Sequence, residues 1–146
     1  MSDHLKLRQA SGVAIDGRAV LLEGPSGCGK STLALMLLDR GATLIGDDGV
    51  ALEMRGEALW AHPPPNITGL LEVRGVGLLE FPVTSAPVAL VLDLAGEMPR
   101  YVEEAEPIEV EGANIPRLAF DPAGPAGAIR AEQALVRHGL PREGTT

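Results

Sequence analysis

Ala19-Val20-Leu21-Leu22 and Ala89-Leu90-Val91-Leu92 are runs of apolar residues with no polar position between them. Runs of this length are too short for a buried helix and predict strands covered on both faces, the second extending to Leu94. Gly12 to Ile15 is another such run, and Asp16-Gly17 between it and Ala19 predicts a hairpin. From Ser31 to Arg40 the spacing changes, with Leu33 and Leu37 one turn apart, and a helix is expected that Arg40-Gly41 brings to a stop. Thr43-Leu44-Ile45 then predicts a short buried strand ending at Gly46-Asp47-Asp48-Gly49. Val50–Met54 and Ala58–Ala61 flank Arg55-Gly56-Glu57 as a second hairpin, in which Trp60 reads as a packing residue. Three prolines after His62 preclude a central strand or helix, so His62 is expected on a surface loop.

Further along, Leu70 to Leu79 is apolar apart from Glu72 and Arg74. Glu97 to Glu111 is acidic and predicts a solvated surface segment. Ile115 to Phe120 predicts one more strand, and Ala126 to His138 a closing helix. Met1 to Leu7 is expected to be a frayed end or an edge strand, and residues 139–146 a flexible tail. Strands interleaved with helices give an α/β fold, a mixed sheet with flanking helices, in one domain over residues 1–146.

Composition narrows the partners. Only 3% of residues are aromatic, so the core must be built from Leu, Val, Ile and Ala. A formal charge of -8 with no Lys/Arg-rich block predicts no nucleic-acid partner and no anionic membrane surface. No apolar span is long enough to cross a bilayer, and the first residues lack a signal-peptide core. Cys28 is the single cysteine, which excludes an intrachain disulfide and points to a reducing, cytoplasmic setting.

The candidate chemistry lies between the first buried strand and the helix. Gly24-Pro25-Ser26-Gly27-Cys28-Gly29-Lys30-Ser31 matches G-x-x-x-x-G-K-[ST], the phosphate-binding P-loop. Its glycines let successive N–H groups point inward around a polyphosphate, its lysine reaches the β- and γ-phosphates, and its serine ligates Mg²⁺. Residues 24–32, including Thr32, are therefore the expected nucleotide-binding segment, with a nucleotide's phosphates and Mg²⁺ as its ligands. Cys28 reads either as a small filler or as a thiol beside the nucleotide.

A P-loop specifies phosphate and not a reaction, so the acids matter next. Asp47-Asp48 at one strand end and Asp93 within another are both placed to organise a metal. The aspartate pair could equally be a turn capped by its own side chains. Glu72 and Arg74, two apart on an extended segment, would share a face and could serve metal and phosphate, or could form a surface ion pair.

The P-loop, Leu44-Ile45-Gly46-Asp47-Asp48 and Leu71-Glu72-Val73-Arg74-Gly75-Val76-Gly77, in this order and spacing, resemble the bacterial HPr kinase/phosphorylase family. The last of these is specific to that family, whereas the P-loop is not. The resemblance is clear from about Gln9 to Leu79 and weaker from Ala89 to Pro122, and it is to the short alphaproteobacterial forms that lack an N-terminal domain. It implies a P-loop kinase domain with a fold similar to phosphoenolpyruvate carboxykinase. The implied activity is ATP- and Mg²⁺-dependent phosphorylation of a seryl hydroxyl on an HPr-like phosphocarrier, with a phosphorolytic reverse reaction in some members. A homo-oligomer is implied as well. Residue by residue, the resemblance makes Lys30 the phosphate ligand, Ser31 a magnesium ligand and Asp48 the general base. Asp47 would support the metal, Glu72 would be a second magnesium ligand, and Arg74 lies in the motif linked to both reactions.

The chain departs from the family in several places. Gln9 stands where members usually have a histidine, and Thr32 where Glu or Asp is common. No basic Pro-Gly-Arg-Asn-type loop is found, and Arg100 is the nearest candidate for the family's later arginine. Two further readings therefore stand beside the protein kinase: a nucleotide-binding regulator with reduced or lost activity, and a small-molecule P-loop kinase.

Overall fold

The computed structural model describes residues 5–65 and 69–142. In chain order the elements are β1 (Lys6–Arg8), β2 (Ser11–Ile15), β3 (Arg18–Glu23), α1 (Lys30–Asp39), β4 (Thr43–Gly46), β5 (Val50–Arg55) and β6 (Ala58–His62). They continue with β7 (Leu70–Val73), β8 (Gly77–Glu80), β9 (Ala86–Asp93), β10 (Glu106–Val110), β11 (Ala113–Ala119) and α2 (Gly127–His138).

The two uninterrupted apolar runs lie side by side as β3 and β9, parallel, with Leu22 opposite Leu92 and Glu23 opposite Asp93. The main path of the sheet runs β1-β5-β6-β9-β3-β2-β4, and β11 adds parallel to the last residues of β9 with β10 antiparallel beside it. The sheet is thus mixed, as expected. Alternation along β3 divides the core in two: Val20 and Leu22 face α1 and α2, while Ala19 and Leu21 face the other way. Leu33, Ala34 and Leu37 of α1 and Ala128, Ala131 and Leu135 of α2 belong to the first cluster. Strand residues Val50, Leu52, Leu59, Val110 and Ile115 fill the second. Both described helices therefore cover one face, and strands close the other.

Several sequence expectations need correction. The acidic stretch 97–111 is not wholly a surface segment, because its last part forms β10. There Ile108 and Val110 alternate with Glu109 and Glu111 and turn into the second core. His62 is not on a loop but ends β6. Its Nδ1 lies 2.7 Å from Ser85 Oγ and its Nε2 2.8 Å from Glu53 Oε1. That hydrogen bond, with Arg55 also adjacent, holds the Glu53 carboxyl below the usual carboxylate range. Trp60 packs as expected, beneath the Arg55 guanidinium and stacked on His62. Met1–His4 lie outside the described residues, but Lys6–Arg8 do form an edge strand, paired with β5. The segment read as a flexible tail is tied down at its start. Leu140 donates its N–H to Ala89 O and accepts from Arg18 Nη1, and Arg142 meets Asp16. Residues 143–146 lie outside the described part.

β7 and β8 form a separate two-stranded hairpin, and a lone hairpin needs an anchor. Leu71 provides it, fully buried in the helix-side core. Phe81 N–H closes the base onto Gly69 O, and Thr84 N–H bonds Leu44 O. Leu71→Ala is expected to cost about 2–5 kcal/mol, the range for a leucine whose cavity cannot collapse. Urea denaturation would read it, and a loss below about 1 kcal/mol would show that the hairpin is held by its backbone alone.

Candidate active site

The P-loop links β3 to α1 as the sequence predicts. Gly24 has φ 146, and a Cβ there would lie 2.7 Å from Cys28 Sγ, so any side chain at that corner would be strained and would displace Cys28. Gly29 is the N-cap of α1, and no side chain caps the first N–H groups of the helix. The positive end of the helix is thereby left open to an anion.

A cleft of about 690 Å³ opens at this helix end. Ser26, Gly27 and Gly29 line it from the loop, Lys30, Ser31 and Thr32 from the start of α1, Asp47 and Asp48 from the turn after β4, and residues 72–77 from the hairpin. Of the residues expected to act, Lys30, Ser31, Asp47, Asp48, Glu72 and Arg74 all border this one cleft. Gly24, Pro25 and Cys28 belong to the loop but do not line the cleft. Gly24 contributes its carbonyl to Lys30, and Cys28 packs against the helix-side core as a small apolar filler.

Lys30 is almost wholly buried. Its Nζ donates to Gly24 O at 2.5 Å and lies 3.4 Å from Asp48 Oδ1. Asp48 is exposed and adopts φ 59, a left-handed conformation that Asp tolerates better than most residues. Gly46 makes the turn possible, since a Cβ there would come within 2.0 Å of Gly49 O. Asp47 faces the helix, and its Oδ1 accepts from Ser31 Oγ at 2.8 Å and from Ser11 Oγ at 3.0 Å. The aspartate pair is therefore not merely a self-capped turn: the two carboxylates point to different partners on α1.

Ser11 is a site residue that the sequence reading missed. It is fully buried, and besides Asp47 it accepts the Asp48 N–H at 3.0 Å. Its only signal was a hydroxyl opening an apolar strand two residues after Gln9.

Glu72 and Arg74 reach the cleft by a different route from the one expected. β7 ends at Val73, and Arg74 lies in a turn closed by Val76 N–H on Val73 O, with Gly75 at φ 82. The two side chains do not share a strand face; the turn brings Arg74 round to the cleft that Glu72 borders. Asp93 is not part of the site. Its carboxylate pairs with Arg117 and accepts the Ala95 N–H. Gln9 and Arg100 are exposed and outside the cleft lining.

The donor set suits a hard cation. Ser31 Oγ, Asp47 and Glu72 offer oxygen only. Among the described residues no three His, Cys, Asp or Glu side chains form a compact ligand cluster. Mg²⁺ typically takes one or two protein carboxylates and completes its shell with water and phosphate, so the residues present fit it.

Fold and cleft together define an α/β domain in which a glycine-rich loop and the start of α1 face carboxylates across one cleft. The model of the HPr Serine kinase C-terminal domain matches residues 5–85, more than half of the chain, and the chain belongs to that family. It is 34% identical over 142 residues to an HPr kinase/phosphorylase of Burkholderia lata, which covers 87% of this chain and 44% of the relative. An HPr kinase/phosphorylase of Streptococcus sanguinis is also 34% identical, over 73% of this chain and 40% of its own length. The chain thus spans less than half the length of these curated relatives. A solved structure of the Hpr(Ser) kinase/phosphatase from Coxiella burnetii superposes with a TM-score of 0.74 over 90% of this chain and 92% of that one. At 24% identity that likeness establishes the fold. Among the described residues no helix is long and apolar enough to cross a membrane.

Proposed function

We propose that the chain is a single catalytic domain, in residues 1–146, that transfers the γ-phosphoryl group of ATP to a seryl hydroxyl of an HPr-like phosphocarrier in the cytoplasm. The observation that carries this reading is the convergence of Lys30, Ser31, Asp47, Asp48, Glu72 and Arg74 on one cleft from three separate segments of chain.

The roles follow from placement. The loop N–H groups, the end of α1 and Lys30 hold the triphosphate, with Arg74 available to its outer oxygens. Ser31 and Asp47 would hold Mg²⁺ with Glu72, and the ion would neutralise charge on the phosphate oxygens. Asp48, the exposed carboxylate beside Lys30, accepts the proton of the attacking serine hydroxyl. Because the transferred group needs little covalent help, orientation and charge neutralisation do most of the catalysis. Reverse transfer, from phosphoserine to inorganic phosphate, would use the same groups with Asp48 returning the proton.

Incubation with Mg-ATP and an HPr-type protein should place one phosphate on a serine of the acceptor, read by mass spectrometry of the intact acceptor. An acceptor that stays unmodified while the chain demonstrably binds nucleotide would favour the second reading, a nucleotide-binding regulator. Gln9 and Thr32 support that alternative, since both replace residues expected of an active member. Association into homo-oligomers is part of the proposal, and gel filtration with light scattering reads it.

A further inference from the structure

Among the described residues two polar or charged residues are buried, Lys30 and Ser11; Lys30 lines the cleft, and Ser11 lies behind it, bonded to Asp47. Lys30 belongs to the phosphate motif. Ser11 does not, and nothing in the β2 strand pattern requires a hydroxyl in a wholly apolar setting. A buried hydroxyl without partners is costly, so its bonds indicate why it is there.

A serine hydroxyl has one proton to give and two lone pairs to receive. Ser11 gives its proton to Asp47 Oδ1 at 3.0 Å and receives the backbone N–H of Asp48 at 3.0 Å. One oxygen atom thus holds the side chain of one aspartate and the main chain of the next. The sheet is distorted where this happens. Gly12 lies opposite Gly46 but Val13 opposite Leu44, so β4 carries Ile45 as an extra residue. Such a bulge re-aims the residues beside it. Asp48 then turns left-handed at φ 59, a conformation that a residue with a Cβ seldom holds unless its surroundings fix it.

We propose that Ser11 is a positioning residue for phosphoryl transfer: its hydroxyl locks the Asp47-Asp48 turn so that Asp47 faces Ser31 while Asp48 faces Lys30. This rests on the kinase reading above. Ser11 touches neither nucleotide nor acceptor and acts through the two aspartates. Without it Asp47 keeps the Ser31 hydroxyl, at 2.8 Å, but the Asp48 N–H loses its partner and the left-handed turn can relax. A base displaced by about an ångström loses roughly 10²-fold in rate, whereas the loop that holds the phosphates is untouched.

The test compares Ser11→Ala, Ser11→Cys and Ser11→Thr with the wild-type chain. The first readout needs no activity: hydrogen exchange at the Asp48 amide in nucleotide-free protein. Exchange should be slow in wild type and in Ser11→Thr, which keeps the hydroxyl, and at least about tenfold faster in Ser11→Ala, where the acceptor is gone. The second is the kcat for acceptor phosphorylation beside the Kd for Mg-ATP. Ser11→Ala should lower kcat by about 10–100-fold with Kd changed less than about threefold, and Ser11→Thr should recover most of the loss. Ser11→Cys, close to serine in size but a weak hydrogen-bonding group, should resemble Ser11→Ala even if Thr proves too large for the site. Equal Asp48 exchange in wild type and Ser11→Ala would overturn the proposal, and so would an unchanged kcat. Parallel losses of kcat and nucleotide affinity in every variant would also overturn it, by showing general disorder of the cleft. If wild type transfers no phosphate, the kinase reading fails on its own account, and the exchange comparison alone decides whether Ser11 holds the turn.

Discussion

Asp48→Asn is expected to lower acceptor phosphorylation by about 10²–10⁴-fold, the range lost with a positioned general base. Nucleotide affinity should change little. The substitution is well matched to its position, because Asn is among the few residue types at ease at φ 59, so the turn after β4 should persist. The backbone N–H that bonds Ser11 is retained, and Asp47, bonded to Ser11 and Ser31, is not disturbed. What disappears is one exposed carboxylate able to take a proton, together with its charge 3.4 Å from Lys30 Nζ. Losing that charge leaves Lys30 freer for phosphate, so Mg-ATP should bind within about threefold of wild type. Single-turnover transfer beside calorimetric titration separates the two quantities. A collapse of binding in step with turnover would assign Asp48 to holding the nucleotide and not to the proton.

The second large effect is expected at Lys30, with the opposite signature. Lys30→Ala should weaken Mg-ATP binding by about 10–100-fold, corresponding to the loss of one charge-assisted hydrogen bond of about 1.5–3 kcal/mol. The ammonium group is nearly buried and already held inside the loop by Gly24 O at 2.5 Å, so little ordering is needed when phosphate arrives. Its removal also leaves Asp48 without its cation beside an incoming anion, which opposes binding further. Turnover should fall along with affinity, since the γ-phosphate is no longer oriented. Lys30→Met, which keeps the stem and removes only the charge, should behave alike. Calorimetry checks affinity and a thermal melt checks the fold. Wild-type affinity in either variant would mean that the triphosphate lies outside the loop.

Much of this arrangement was legible before any coordinates. The β3 run, the glycine loop and the α1 spacing are local signals, and each is fixed by a requirement of the neighbouring few residues. The turn at Asp47-Asp48 was legible in position but open in meaning, because a capped turn and a metal site use the same residue types. In the structure α1 meets both carboxylates, Asp47 through Ser31 and Asp48 through Lys30. Ser11 left only a faint mark, a hydroxyl at the start of an apolar run. Its value depends on a register shift between β2 and β4, and a one-residue bulge leaves no periodic trace in sequence. Asp93 shows the converse error: a carboxylate at the end of a buried strand suggests a metal ligand until Arg117 is seen to occupy it. The β10 strand was hidden because its glutamates dominate the composition while Ile108 and Val110 carry the burial.

The central claim is that one cleft binds a metal-triphosphate and presents Asp48 to its outer phosphoryl group. A crystal structure of the chain with Mg²⁺ and a nonhydrolysable ATP analogue tests it most directly. Triphosphate wrapped by residues 24–31, with the ion against Ser31 and Asp47 and the Asp48 carboxylate facing the γ-phosphate, is the expected result. Triphosphate seated elsewhere, or an empty loop at saturating analogue, would contradict it.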